Sequence, residues 1–330
     1  MGNDDVLYDD IEIRSIHNSE IFRIVLAVIS GLFTFSVVFI LLYKYKILVE
    51  KRDFVHYILC IAISDTVLCF FYAWGFPNPG IICSIQSFST SFAARSSWLY
   101  TDVLVMQLCY LVVYKRHFLN HKHMHFIVWS LNIILEFLPF STRTYYGLSD
   151  SGNISTGICD FYTKGTSNDD DDLVNEWNDA TFNGWLYLSF ILILSCSLFI
   201  VLYTRNMAAR NPLSASLLNT AAFSDAWKTI ILYPIALLVA YIPAQIYVLY
   251  YNQYSKTAKI GIIANYFVAL NSCYGLFLSI IFYIKTESAI NEWKILFRCN
   301  KLDPIDVNDI EFRSTSNDLP KALEETMSNK

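Results

Sequence analysis

Charged residues, glycine and proline are scarce in this chain of 330 residues. Only 16% of its positions carry Asp, Glu, Lys or Arg, against about a quarter in an ordinary soluble protein. With 11 Gly and 8 Pro, the chain also lacks the composition of collagenous and disordered proteins. Excess basic charge is missing too, because the net charge is −5, so no nucleic-acid partner is expected. The 55% of apolar residues that remain predict a polytopic membrane protein.

Seven apolar segments are long enough to cross a bilayer, which takes about 20 residues of helix. The third is the longest and the most polar, since it contains Gln86, Arg95 and Asp102. A helix of this kind is expected at the centre of a bundle, shielded from lipid. The predicted fold is an all-α membrane protein, a seven-transmembrane helix bundle over 21–284. The spans are Ile21 to Tyr43, Phe54 to Trp74, Ile82 to Tyr114, Phe126 to Phe140, Trp185 to Tyr203, Thr229 to Tyr251 and Ile260 to Ile284.

The distribution of charge predicts that the N-terminal segment, 1–20, is extracellular. With that orientation the predicted inner segments hold 17 Lys or Arg and the outer ones hold five, as the positive-inside rule requires. The glycosylation sequon at Asn153 and the acidic run 169–172 both fall in the predicted outer loop between spans four and five. We therefore expect glycosylation of Asn153.

The cysteines divide by location. Cys299 lies on the predicted inner side and five others lie within spans, where structural disulfides are not expected. Cys83, at the outer tip of the third span, and Cys159, in the second outer loop, remain and predict a disulfide. Two free thiols are the alternative. The cysteines within spans are Cys60, Cys69, Cys109, Cys196 and Cys273.

Beyond the last span, residues 285–300 have an apolar face typical of a short eighth helix on the inner membrane surface, in contact with membrane lipid. Cys299 at its end is a candidate for palmitoylation; an unmodified thiol is the alternative. Residues 301–330 lack an apolar period and are predicted to be a disordered cytoplasmic tail.

Enzymatic motifs are missing. The sequence contains no Gly-rich phosphate loop, nucleophile elbow or Cys-x-x-Cys pair, so we expect no enzyme, metal or cofactor. A lysine that could carry retinal is also lacking between Lys259 and Lys285. One cluster has metal-like spacing, and we interpret it as a basic inner loop facing a partner or lipid, with a membrane enzyme as a distant alternative. Its members are His117, His121, His123 and His125.

Arg95 is expected near the middle of the membrane, where an uncompensated charge is costly. Two interpretations stay open. Arg95 forms an internal ion pair with Asp65, Asp102 or Glu136, or it anchors an anionic ligand that enters from outside. Gln86 and Trp98 on the same span are the other candidate ligand contacts.

Two prolines are expected to bend the sixth span. Pro234 and Pro243 each remove a backbone hydrogen bond, which favours a hinge, with a static kink as the alternative.

Three stretches resemble the cyclic-AMP-receptor-like (class E) G-protein-coupled receptors, and two of them also resemble the related fungal sugar-sensing receptors. The third span has an outer Cys83, a Ser97-Trp98-Leu99-Tyr100-Thr101 core and a Tyr-rich end that closes on Lys115-Arg116. Span six carries Tyr233-Pro234 and then Tyr241-Ile242-Pro243. Span seven carries Tyr274-Gly275-Leu276-Phe277-Leu278-Ser279-Ile280-Ile281-Phe282-Tyr283, which leads to Trp293. The resemblance covers about residues 20 to 298.

The resemblance implies a multi-pass plasma-membrane receptor that binds an extracellular small molecule and exchanges nucleotide on a heterotrimeric G protein. Ligand binding would move the bent sixth helix and open an inner groove for the G protein. A small-solute transporter or channel is the alternative function. The residues expected to border the groove are Lys115, Arg116, Arg205, Arg210 and Lys228.

Overall fold

The computed structural model describes ten parts of the chain, and for 4–17, the two strands, 179, 204, 207–210 and 285 it describes the backbone only. These parts are 4–43, 54–75, 81–114, 120–138, 144–147, 160–163, 179–210, 231–246, 266–267 and 269–285.

Seven long helices make up most of these described residues. Four contain a stretch long and apolar enough to cross a membrane: Asn18–Tyr43, Val55–Ala73, Ile81–Tyr114 and Ala180–Tyr203. A single π-helical turn, Asp179–Asn183, leads into the fifth helix. The helices are α1 (Asp4–Tyr43), α2 (Val55–Ala73), α3 (Ile81–Tyr114), α4 (His121–Phe137), α5 (Gly184–Arg210), α6 (Ile231–Ile246) and α7 (Cys273–Lys285).

The predicted ends of the second and third spans agree with α2 and α3 to within one residue. α1 starts much earlier than the first predicted span, at Asp4. Its first turn is acidic, which favours a helix N-terminus because carboxylates interact well with the positive end of the helix dipole. The predicted extracellular segment 1–20 is therefore helical from Asp4 onward.

The start of α4 differs from the prediction. Its span was expected from Phe126, and the helix begins five residues earlier, at His121. The side chain of Asn120 caps this end by accepting a hydrogen bond from the backbone N–H of Lys122 at 3.2 Å. The interpretation of His121, His123 and His125 as loop residues is therefore wrong, because all three lie on the first turns of a capped helix.

A turn interrupts the predicted seventh span. The described residues 266–267 and 269–270 are helical, the turn follows at Asn271 and Ser272, and α7 begins at Cys273. Short-range hydrogen bonds hold this turn, from the N–H of Ser272 to the carbonyl of Ala269 at 3.1 Å and from the N–H of Tyr274 to the carbonyl of Asn271 at 3.3 Å. Such i to i+3 bonds tighten the backbone, so the chain enters α7 through a narrower turn.

A short hairpin lies between α4 and α5. Strand β1 (Thr144–Gly147) pairs antiparallel with β2 (Asp160–Thr163), with Tyr145 opposite Tyr162. Both strands contact α3. These two strands of the predicted second outer loop therefore lie against α3.

α3 is the central helix of the described bundle. It contacts α2, α4, α5 and the hairpin, while α7 packs against α1 and α2. In the most apolar stretch of α3, 72% of the residues are buried, compared with 22% in the corresponding stretch of α5. The expectation of a polar helix at the centre of the bundle is confirmed for α3.

Candidate functional site

Arg95 and Glu136 form a buried ion pair between α3 and α4. Nη1 of Arg95 contacts Oε2 of Glu136, and both side chains are completely buried. Nη2 of Arg95 also donates a hydrogen bond to Oγ of Ser91 at 3.0 Å. Of the two interpretations of Arg95, the structure has the internal ion pair, and its partner is Glu136. An anionic ligand would have to displace that carboxylate.

Asn132, one turn before Glu136 on α4, extends this contact. Its Nδ2 donates to the carbonyl of Phe92 at 3.0 Å and to Oγ of Ser96 at 2.5 Å. The α3–α4 contact therefore combines an ion pair with side-chain hydrogen bonds in a dry environment. Breaking such a network leaves buried polar groups without partners, so it resists separation.

Gln86 fixes the end of α2. The side chain is buried, and its Nε2 donates to the carbonyl of Phe71 at 2.8 Å and to that of Gly75 at 2.7 Å. Gly75 has a φ of 76°, the left-handed conformation that commonly ends a helix. Gln86 thus donates to backbone carbonyls at the C-terminal end of α2 that have no partner within the helix. In this way it positions the end of α2 against α3.

Trp98 lies at the centre of a group of four aromatic residues that we term the aromatic cluster: Trp98, Phe182, Tyr241 and Tyr274. The ring centroid of Trp98 is 4.7 Å from that of Phe182 and 5.2 Å from that of Tyr241, both in edge-to-face geometry. The rings of Tyr241 and Tyr274 follow at 6.2 Å. The cluster therefore connects the turn before α5 with α3, α6 and α7.

A hydrogen bond closes this connection. The hydroxyl of Tyr274 lies 2.9 Å from Oγ1 of Thr101, one turn below Trp98 on α3. Sequence analysis named only Trp98 of the cluster as a candidate ligand contact. Tyr241 and Tyr274 were noted there only as part of the motifs of spans six and seven, and Phe182 gives no signal in the sequence.

Two further buried carboxylates, Asp102 on α3 and Asp65 on α2, have no cationic partner among the described residues. Oδ2 of Asp102 accepts a hydrogen bond from Oγ of Ser189 on α5 at 2.6 Å. Asp65 on α2 is buried, and the hydroxyl of Ser97 faces it without a hydrogen bond of ordinary geometry.

The remaining predicted residues are placed in part. Pro234 is buried and Pro243 half-buried in α6, and Arg205 is exposed on α5, which ends at Arg210. Cys83 is buried and disulfide-bonded, and its partner lies outside the described residues. The five cysteines within spans are free thiols. The residues outside the described parts are Lys115, Arg116, His117, Asn153, Cys159, Lys228, Cys299, the eighth helix and the tail.

The fold is similar to that of squid rhodopsin. The two structures match over 88% of this chain and 88% of that one, with a TM-score of 0.62 and 16% sequence identity. No protein family and no curated protein sequence matches this chain. At this identity the likeness shows the fold alone. The chain has a rhodopsin-like fold, and four of its helices are long and apolar enough to cross a membrane, as in a multi-pass membrane protein.

Proposed function

We propose that this protein is a G-protein-coupled receptor of the cyclic-AMP-receptor-like class, which binds an extracellular small molecule and activates a heterotrimeric G protein. The rhodopsin-like fold over 88% of the chain carries this proposal. The class rests on the motifs in spans three, six and seven. The receptor lies in the plasma membrane with its N-terminus outside, seven helices crossing the bilayer and an eighth on the inner surface.

The ligand crevice opens outside, beside the aromatic cluster. Phe182 stands immediately before α5, and Tyr241 stands two residues before Pro243 in α6. Trp98 contacts both rings, so a ligand that displaces Phe182 changes the packing of Tyr241 through a single side chain. Arg95 and Gln86, which are held by Glu136 and by the end of α2, position the walls of this crevice.

A disulfide between Cys83 and Cys159 caps the crevice. Cys83 is buried and disulfide-bonded. Cys159 immediately precedes Asp160, the first residue of β2, and this strand contacts α3, the helix that carries Cys83. Asn153, between the two strands in sequence, carries the glycan.

Activation moves α6 about Pro234 and Pro243. A ligand shifts this equilibrium only by binding the open form more tightly, and a change from 1:99 to 99:1 takes about 5.5 kcal/mol of differential affinity. The groove that opens on the inner side is bordered by basic residues, of which Arg205 is exposed on α5. Lys115, Arg116, Arg210 and Lys228 complete it, and a palmitoylated Cys299 anchors the eighth helix to membrane lipid.

Nucleotide exchange on co-expressed heterotrimeric G proteins, measured without ligand, tests the proposal because the ligand is unidentified. We expect basal exchange above that of membranes lacking the receptor. Arg205→Ala should lower it, whereas Asn206→Ala, a change of a neighbouring exposed residue on α5, should not. Solute-dependent currents in proteoliposomes, with no exchange on any G protein, would favour the transporter or channel instead.

A further inference from the structure

Three histidines from two helices meet at the end of the bundle where α2 and α4 begin. The ring centroid of His56 on α2 lies 5.2 Å from that of His121 and 6.2 Å from that of His125, both on α4. The i, i+4 spacing places His121 and His125 on the same side of their helix. We term His56, His121 and His125 the histidine cluster.

Tyrosine hydroxyls and a thiol face this cluster. The hydroxyl of Tyr57 on α2 lies 3.0 Å from Nδ1 of His121, and that of Tyr100 on α3 lies 3.0 Å from Nδ1 of His125. Cys60 on α2 contributes its thiol, with Sγ 4.0 Å from Nδ1 of His125. Both tyrosines are buried. These contacts from α2 and α3 are thus made by tyrosine and cysteine, which are neutral at physiological pH.

The arrangement favours neutral imidazoles. An ordinary histidine titrates near pH 6.5, and rings in contact repel one another once two of them are charged. Half-burial, followed by the charges of His56 and His121, lowers the pKa of His125, which precedes the apolar run from Phe126. Both ring nitrogens of a protonated imidazole are donors, so Nδ1 of a protonated His125 would donate to the hydroxyl of Tyr100.

We propose that the histidine cluster is a proton-binding site that makes the contact between α2 and α4 sensitive to pH. Near neutral pH the uncharged rings pack together, and below about pH 6.5 the added charges push the two helix ends apart. In the orientation proposed above this end faces the cytosol, so the pH of the cytosol reaches the side of the receptor that binds the G protein. Among the described residues no cluster of His, Cys, Asp or Glu has the geometry to hold a metal ion.

The sign of the pH dependence follows from the lowered pKa. The unfolded chain binds the proton more tightly than the folded one, so the stability contributed by the neutral cluster is present above about pH 6.5 and is lost as the pH falls below it. Melting of the full-length protein in detergent between pH 7.5 and 5.5 measures this. We expect His56→Gln to reduce the acid-induced fall in melting temperature by about 2–4 °C relative to the wild type.

His123→Gln is the matched control, because His123 is exposed on the same helix. It should melt like the wild type at every pH. If His56→Gln and His125→Gln show the same acid-induced fall as His123→Gln, the proposal is overturned. Should those variants fail to fold, carbon NMR of histidine-labelled wild-type protein decides: imidazoles that titrate below the ordinary range support the site, and six that titrate near 6.5 exclude it.

Nucleotide exchange separates this inference from the proposed function. If the histidine variants alter the melting behaviour and no G protein responds, the proton site stands and the receptor function fails. If G proteins respond and the melting curves of all variants coincide, the receptor function stands and the proton site fails. If both hold, basal exchange in wild-type membranes should change between pH 7.5 and 6 by a factor that His56→Gln reduces.

Discussion

The two sides of α3 are held in different ways. Toward α4 it carries a completely buried ion pair between Arg95 and Glu136. Toward α5 and α7 it makes hydroxyl contacts, of Asp102 with Ser189 and of Thr101 with Tyr274. Toward α6 the ring of Trp98 packs edge-to-face with that of Tyr241. Breaking a buried ion pair by removing one partner costs about 3–5 kcal/mol, whereas a typical hydrogen bond contributes about 0.5–1.5 kcal/mol.

This difference indicates which helices can move. α4 is tied to α3 by the interaction that is most costly to break, so the two form a fixed pair. α5, α6 and α7 are joined to α3 by single hydrogen bonds and ring contacts, each of which costs less to break than the ion pair. If the sixth helix swings about its prolines, as proposed above, the mobile helices are those reached by the aromatic cluster.

The largest expected effect comes from breaking the ion pair. Arg95→Gln should lower the stability by about 3–5 kcal/mol, because Glu136 is left buried without its cation. The melting temperature in detergent measures the loss. Combining Arg95→Gln with Glu136→Gln should recover much of it, since the two neutral amides can hydrogen-bond. A single variant that melts like the wild type would remove the basis for treating α3 and α4 as a fixed pair.

The next largest effect is a packing effect at the contact of α7 with α1. A Cβ atom added to Gly275 would lie 2.5 Å from Cγ2 of Thr34 and 3.3 Å from Cβ of Asp65. Gly275→Ala should therefore cost about 1–3 kcal/mol, the usual range for overpacking. Thermal melting measures it.

Thr34→Ser supplies the control for this packing effect. It removes the clashing methyl group and keeps the hydroxyl, which donates to the carbonyl of Ser30 at 2.9 Å. Added to Gly275→Ala, it should restore part of the stability. If Gly275→Ala is neutral on its own, α7 can shift away from α1 without cost.

The sequence predicts the helices better than the contacts between them. Spans follow from runs of apolar residues, which are local, so the ends of α2 and α3 are predicted to within one residue. The partner of Arg95 is different, because Asp65, Asp102 and Glu136 are equivalent until the facing sides of three helices are known. Hydropathy also fails at His121, where a single Asn cap starts a helix ahead of its apolar run.

A third prediction concerns the contact of α3 with α7. Oγ1 of Thr101 donates to the carbonyl of Ser97 at 2.8 Å, so the hydroxyl of Tyr274 is the donor in its bond to Thr101. Tyr274→Phe leaves Thr101 satisfied and should cost about 0.5–1.5 kcal/mol, whereas Thr101→Val strands a buried hydroxyl and should cost about 1–3 kcal/mol. Melting curves of both variants give the order, and the reverse order would contradict the assignment of the donor.

The smallest expected effect is the sharpest test of the two sides of α3, because the same chemical change is made on each. Asp102→Asn and Glu136→Gln both convert a buried carboxylate into an amide. An amide oxygen at position 102 still accepts the hydrogen bond from Ser189, and no cation among the described residues loses a partner. We therefore expect Asp102→Asn to change the stability by less than about 0.5 kcal/mol or to raise it, since the charged form of a lone buried carboxylate is costly.

Glu136→Gln instead leaves Arg95 buried and charged, and should lower the melting temperature nearly as much as Arg95→Gln does. Equal losses from the two changes would mean that Asp102 also balances a positive charge, and the division between a fixed and an exchangeable side of α3 would fail.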